Sequence, residues 1–216
     1  YSLIKPTEYV DNNVLGFYNI ISAANKYKVK RIIYASSSSV YGDSLIFPLS
    51  EKQKIKPKNI YALSKKINEE MADVFSEQFK IYFVGLRFFT VYGEWGRPDM
   101  FMMKYLESSF NSSKKFYLNN FGNHIRDFTY IDDVCEIIEK LILSKNKKKY
   151  HEFFNICSNN PLNLSKIINQ INKLTFKKPK ILKRSLQKAD VIKTHGSNKK
   201  ILSKIGKMKF TKIEIG

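Results

Sequence analysis

Tyr61 and Lys65 stand four residues apart, in Tyr61-Ala62-Leu63-Ser64-Lys65. On a helix that spacing puts both side chains on one face. A lysine ammonium beside a phenol favours the phenolate. A phenolate held in that way can take a proton near neutral pH. Alone, the same spacing is also that of an ordinary exposed helix turn. A second polar group, Ser36-Ser37-Ser38-Ser39-Val40-Tyr41-Gly42, directly follows an apolar run. Its hydroxyls would face a ligand at the end of a strand. Read alone, it is equally a polar turn.

The surrounding pattern says which elements would position these groups. Residues 31–35 (RIIYA) read as a short buried strand and 81–87 (IYFVGLR) as a second. Residues 8–26 read as a helix with Val10, Val14, Phe17, Ile20 and Ile21 at helical spacing, and 60–79 as another. A helix near 99–110, short strands near 115–118 and 127–130, a helix over 131–144 and a strand over 152–157 follow. The remainder reads as helix, strand and helix. Strands alternating with helices argue for an α/β fold with a parallel sheet. Ligands bind such sheets at the carboxyl ends of the strands. The expected site is therefore built from residues 36–42 and 88–99.

Composition sets the outer limits. The chain has 216 residues, 43% hydrophobic and 14% aromatic, enough apolar material for a packed core. This excludes a disordered tail, a coiled coil and, with two cysteines, a disulfide scaffold. No apolar run reaches about 18 residues, so no membrane-spanning helix is expected. The net charge is +19, and +16 of it lies in residues 141–216. A basic half suggests a polyanionic partner. However, Arg occurs at only five positions (31, 87, 97, 126 and 184), whereas nucleic-acid readers lean on Arg. A lysine-rich surface with no nucleic-acid role is the preferred reading. His124, His151 and His195 lack metal-ligand spacing, and Cys135 and Cys157 form no CxxC, so no metal site is expected. Reduced cysteines suit the cytoplasm. Asp132 and Asp133 suit a helix N-terminus better than catalysis.

Several motifs in order carry a family resemblance. The strand, the hydroxyl cluster ending in Val40-Tyr41-Gly42 and the Tyr61/Lys65 pair come first. Leu86-Arg87-Phe88-Phe89-Thr90-Val91-Tyr92-Gly93, then Trp95-Gly96-Arg97-Pro98-Asp99-Met100, then Arg126-Asp127-Phe128-Thr129-Tyr130-Ile131-Asp132-Asp133 follow. Together they resemble the extended short-chain dehydrogenase/reductase family. Within it they resemble the nucleotide-sugar epimerases, on the UDP-glucuronate 4-epimerase branch.

The resemblance implies NAD as cofactor and a UDP-sugar as substrate. It implies a Rossmann-like parallel sheet with a smaller α/β substrate domain. Residues 1–93 and 127–160 would form the cofactor part, and 94–126 and 161–216 the sugar-nucleotide part. Tyr61 matches the family's base and acid. Lys65 matches the lysine that bonds the nicotinamide ribose. Ser37 matches the hydroxyl bridging the tyrosine and the sugar O4. Asn12 matches an asparagine near the cofactor. Arg126 matches a diphosphate ligand, a role suited to its planar fork. Ser38, Ser39, Thr90 and Arg97 match contacts around the sugar C6 carboxylate. Gln187 and Asp190 match a nucleotide-contacting segment. A homodimer through helices 8–26 and 60–79 is expected, with no nucleic-acid or membrane partner.

The hydroxyl cluster separates chemistries within the family. Relatives that expel water across C5–C6 carry an acid and a base after the bridging hydroxyl, where this chain has Ser38 and Ser39. Serines suit C4 oxidation followed by hydride return to the other face. A 4-keto uronic acid is a β-keto acid and can lose CO2. Holding its carboxylate would disfavour that loss. The alternatives are a UDP-glucose/UDP-galactose 4-epimerase and, more remotely, a nucleic-acid-binding module on a degenerate enzyme fold. No glycine-rich phosphate cradle occurs in these residues. The expectation is a fragment cut at both ends that neither binds NAD tightly nor turns over by itself.

Overall fold

The computed structural model describes residues 4–144, 150–187 and 190–216. Helices α1 (Pro6–Tyr9) and α2 (Gly16–Lys26) are joined by a π-helical turn over Val10–Leu15, so the chain is helical from 6 to 26. The expected apolar stripe needs correction. Phe17, Ile21 and Ala24 pack inward, whereas Val10 and Ile20 are exposed. The i→i+5 bonding of the π turn rotates the residues before Gly16 away from a stripe counted at 3.6 per turn, while Ile20, beyond that turn, lies about 100° round the helix from the inward-facing Ile21.

Strand β1 (Arg31–Ser37) ends in a 3-10 turn over Ser38–Tyr41. Helix α3 (Ile60–Phe79) occupies the expected range. Asn59 caps it by accepting the Ala62 N–H at 2.9 Å, and Lys80, in the left-handed conformation (φ 54°), ends it. Strand β2 (Tyr82–Phe88) runs centrally between β1 and β6 (His151–Ile156) in an all-parallel sheet. It is buried from 82 to 87, as a central parallel strand must be.

Side-chain alternation divides that sheet between two cores. On one face Tyr82, Val84 and Leu86 join Phe154 and Ile156 against Val134, Ile137 and Leu141 of α5 (Ile131–Leu143). On the other, Phe83 and Tyr34 meet Ile21 of α2 and Ala72 of α3. Asp132 and Asp133 occupy the first turn of α5, where the helix dipole favours them. Asp133 also accepts the Thr211 N–H and hydroxyl at 2.8 and 2.9 Å.

A second sheet joins β3 (Thr90–Tyr92), β5 (Ile125–Tyr130) and β7 (Pro161–Asn163), with β3 parallel and β7 antiparallel to β5. A third pairs β4 (Lys115–Leu118) with β8 (Lys180–Lys183). Tyr105 of α4 (Phe101–Phe110) and Ile168 of α6 (Leu164–Thr175) pack on Phe116 and Leu118 of β4. These last elements form a small α/β unit within 94–126 and 161–216. One segment of that range belongs elsewhere: Ile201 of α7 (Lys199–Ile205) is buried in the core of β2, α5 and β6. Its apolar residues complete the first sheet's core.

Candidate active site

The carboxyl ends of β1 and β2 open into a cleft of about 520 Å³. Ser37, Ser38, Ser39, Tyr61, Lys65, Thr90, Arg97, Arg126 and Asp190 all line it. Nine of the eleven residues singled out by sequence are thus brought together from six segments of the chain.

Ser37 is the last residue of β1, and its Oγ accepts the Ser39 N–H at 3.1 Å. That bond starts the 3-10 turn carrying Ser38 and Ser39 into the cleft. Tyr61 lies in the first turn of α3, half-buried, with the Tyr9 ring edge-on at 5.9 Å. Lys65, one turn on, donates to the Ala35 carbonyl at 3.1 Å. Burial pushes its pKa below the ordinary lysine range.

The positive groups differ in how they are held. Arg97 is exposed and forks onto Asp99, Nε at 2.8 Å and Nη2 at 2.5 Å. Those bonds hold the Asp99 carboxyl below its usual range. Arg126 donates to the carbonyls of Ile125 and Ile192 through Nη1, at 3.0 and 2.9 Å, and to Val191 through Nη2 at 2.6 Å. Burial lowers its pKa, and the nearby Asp190 works in the opposite direction. The Asp190 carboxylate lies 3.8 Å from His124 Nε2. A carboxylate in the cleft repels a phosphate and suits a hydroxyl donor such as a ribose.

Two residues fall outside the cleft. Asn12 is exposed and donates to the Glu8 carbonyl at 2.8 Å, within its own helix. Its neighbour Asn13 is the one turned towards α3, donating to Ser64 Oγ at 2.9 Å. Neither asparagine lines the cleft; Asn13 ties the first helix to α3. Gln187 is exposed and lines a separate groove of about 450 Å³ with Arg184 and Tyr117. Lys188 and Ala189 of its motif lie outside the described residues.

Sequence reasoning missed Lys58, which lines the cleft, pairs with Asp43 at 2.6 Å and donates to the Asp190 carbonyl at 3.4 Å. It also missed the buried pair of Glu69 and Arg87 beneath the cleft, at 2.7 Å. The signal was present: Glu69 is four residues after Lys65, and Arg87 sits inside an apolar strand. Among the described residues no cluster of three His, Cys, Asp or Glu could hold a metal. Among them too, no helix is long and apolar enough to cross a membrane.

Residues 1–157 match the NAD dependent epimerase/dehydratase family. An uncharacterized protein of Methanocaldococcus jannaschii, MJ1055, is 39% identical over all of this chain and 65% of its own length. UDP-glucuronate 4-epimerase 4 of Arabidopsis thaliana is 33% identical over all of this chain and 53% of its own. The chain therefore spans about half to two thirds of the length of these relatives. The solved structure of MoeE5 in complex with UDP-glucuronic acid and NAD superposes with a TM-score of 0.92 at 27% identity, covering 100% of this chain and 71% of that one. With a family match over most of its residues and a tyrosine, lysine and serine converging on one cleft, the chain belongs to the NAD-dependent epimerase/dehydratase family.

Proposed function

We propose that the full-length protein is an NAD-dependent UDP-sugar 4-epimerase whose substrate is UDP-glucuronate and whose product is UDP-galacturonate. The observation that carries this reading is one cleft holding Tyr61, Lys65 and Ser37 beside Ser38, Ser39, Thr90 and Arg97. The hydroxyl and ammonium of Tyr61 and Lys65 fit the nicotinamide-ribose end of a dinucleotide. NAD held there by Tyr61 and Lys65 would supply the hydride chemistry at C4. Tyr61 takes the O4 proton as C4 is oxidised and gives it back on reduction. Ser37 orients O4 towards Tyr61. Ser38 and Ser39 cannot abstract the C5 proton, which leaves epimerisation rather than dehydration. Arg97 and Thr90 hold the C6 carboxylate, and Arg126 the diphosphate.

The assembly we propose is a homodimer through the helices spanning 6–26 and 60–79. They pack together, with Tyr18 and Phe75 at 6.0 Å between ring centroids, yet leave Leu15, Leu63 and Val74 exposed. Free cysteines at 135 and 157 support a reducing, cytoplasmic setting. The deciding experiment gives the full-length protein UDP-glucuronate or UDP-glucose with NAD and identifies products by NMR. UDP-galacturonate without a UDP-pentose is expected. Turnover of UDP-glucose alone would establish the hexose epimerase instead.

A further inference from the structure

We infer that Glu69 and Arg87 are positioning residues for the proposed reaction, setting the placement of α3 against the end of β1 and so of Tyr61 and Lys65 against Ser37. The role rests on the functional reading above. Ser36, Arg87 and Asn155 are partners in the parallel sheet, side by side at the carboxyl ends of β1, β2 and β6. In-register residues share a face, and here that face meets α3. Glu69 Oε1 accepts from Ser36 Oγ at 2.6 Å and from Arg87 Nε at 2.8 Å, while Oε2 accepts from Arg87 Nη2 at 2.7 Å. Arg87 Nη1 donates to the Tyr41 hydroxyl at 2.9 Å, which donates to Asn155 Oδ1 at 2.7 Å. One buried network thus joins three strand ends, the 3-10 turn and α3.

Stability does not explain such a network. Arg87 is 2% and Glu69 5% exposed, and a buried ion pair is commonly no more stabilising than apolar side chains of similar volume. Its location points to placement instead. Tyr61, Lys65 and Glu69 follow one another at four-residue spacing along one stripe of α3. Lys65 bonds Ala35 and Glu69 bonds Ser36, consecutive residues of β1 that lead directly into Ser37. Two successive turns of α3 are thereby pinned to two successive residues of the strand. Sliding or rotating α3 would break both contacts and move Tyr61 relative to Ser37. Glu69 and Arg87 do not line the cleft, so they act through Lys65 and Ser37.

The test uses the full-length protein with UDP-glucuronate and the paired substitution Glu69→Met with Arg87→Met, which removes both charges together. The expected result is a cooperative melting transition, a KM within about twofold of the unaltered protein, and a kcat lower by about 100-fold, the scale of an ~1 Å misplacement. Ser36→Ala removes a single hydroxyl and is expected to lower kcat about fivefold with KM unchanged. A folded double variant with unaltered kcat overturns the role, as does a kcat that falls only in step with thermal stability. If the double variant does not fold, unchanged kcat in Ser36→Ala overturns it. Absence of turnover by the unaltered protein overturns the epimerase reading itself, and this role with it.

Discussion

Lys65 donates through Nζ to the carbonyl oxygen of Ala35, 3.1 Å away, where β1 is about to turn into the cleft. The contact holds a cation at the strand's carboxyl end, one helical turn from Tyr61. Its energetic sign is unfavourable, because burial acts against the charge. A half-buried charge that costs stability is best understood by what it does to its neighbour.

Lys65→Met makes that cost visible. The folded pKa lies below the ordinary 10.5. Between the two values the unfolded chain binds more protons, so this group's contribution to stability rises with pH across that window. Below it the charge is a constant penalty. The Met variant is therefore expected to melt no lower than the unaltered protein at neutral pH, with its advantage disappearing as pH passes the ordinary lysine value. Turnover is expected to fall by about 10²- to 10⁴-fold. Melting curves of the full-length protein across pH, with its kcat at neutral pH, check both. A variant less stable at neutral pH would contradict the desolvation argument.

Arg97 and Asp99 separate stability from specificity. Their pair is largely exposed, and exposed pairs contribute about 0–1 kcal/mol. Arg97→Ala should leave the melting temperature nearly unchanged. In the full-length protein, on the proposed function, it should also raise the KM for UDP-glucuronate by about tenfold or release a UDP-pentose through decarboxylation. Asp99→Asn frees the guanidinium from an internal carboxylate, so KM should fall. Unchanged uronate affinity and product mix in Arg97→Ala would remove Arg97 from the carboxylate site.

Asn12 and Asn13 form an internal control. Asn12→Ala removes an exposed intrahelical bond and should shift stability by under about 0.5 kcal/mol. Asn13→Ala removes the bond to Ser64 Oγ, which ties the 6–26 helix to α3 one residue before Lys65. It should cost about 1 kcal/mol and lower turnover. Equal effects in chemical denaturation would show that the bond to Ser64 does not distinguish them.

Much of this was legible in residue order, for identifiable reasons. Helix α3 was read over its observed range, which Asn59 caps and Lys80 ends, although the face it buries is small and polar rather than an apolar stripe (Ala62, Ser64, Asn68, Glu69, Ala72 and Ser76). That Ser37 and Thr90 line the cleft was readable from the strand ends that carry them, whereas Tyr61 and Arg126 were assigned by the family resemblance; all four line it. The face of the first helix was misread because a π turn is not visible in a 3.6-residue count. Strands β3 and β7, three residues each, are too short to show alternation. The Glu69–Arg87 pair was overlooked because each residue was judged alone. A charge within a run like 82–88 cannot stay buried without a partner, and that requirement was the available clue.

Gly42 closes the turn that carries Ser38 and Ser39, and its replacement is the sharpest structural test. Its φ of 64° lies in the region that favours glycine, and its N–H donates to the Ser39 carbonyl at 3.1 Å. A Cβ there would stand 2.0 Å from the Lys56 carbonyl oxygen. That oxygen belongs to backbone, held by the Lys56 N–H bond to the Val40 carbonyl at 2.9 Å, so it cannot simply swing aside. Gly42→Ala must displace residues 38–42 or 54–58, both of which border the cleft. A loss above about 3 kcal/mol is expected, with turnover falling further than stability at temperatures where the variant is folded. Gly206→Ala is the comparison: φ is 89°, but nothing lies within 4 Å of its Cβ. With ψ at 176° Gly206 sits in a region essentially reserved for glycine, so the substitution should cost the backbone strain alone, about 1–3 kcal/mol, and leave kcat unchanged. Similar losses in urea unfolding would mean that φ alone, and not the approach of Lys56, fixes glycine at 42.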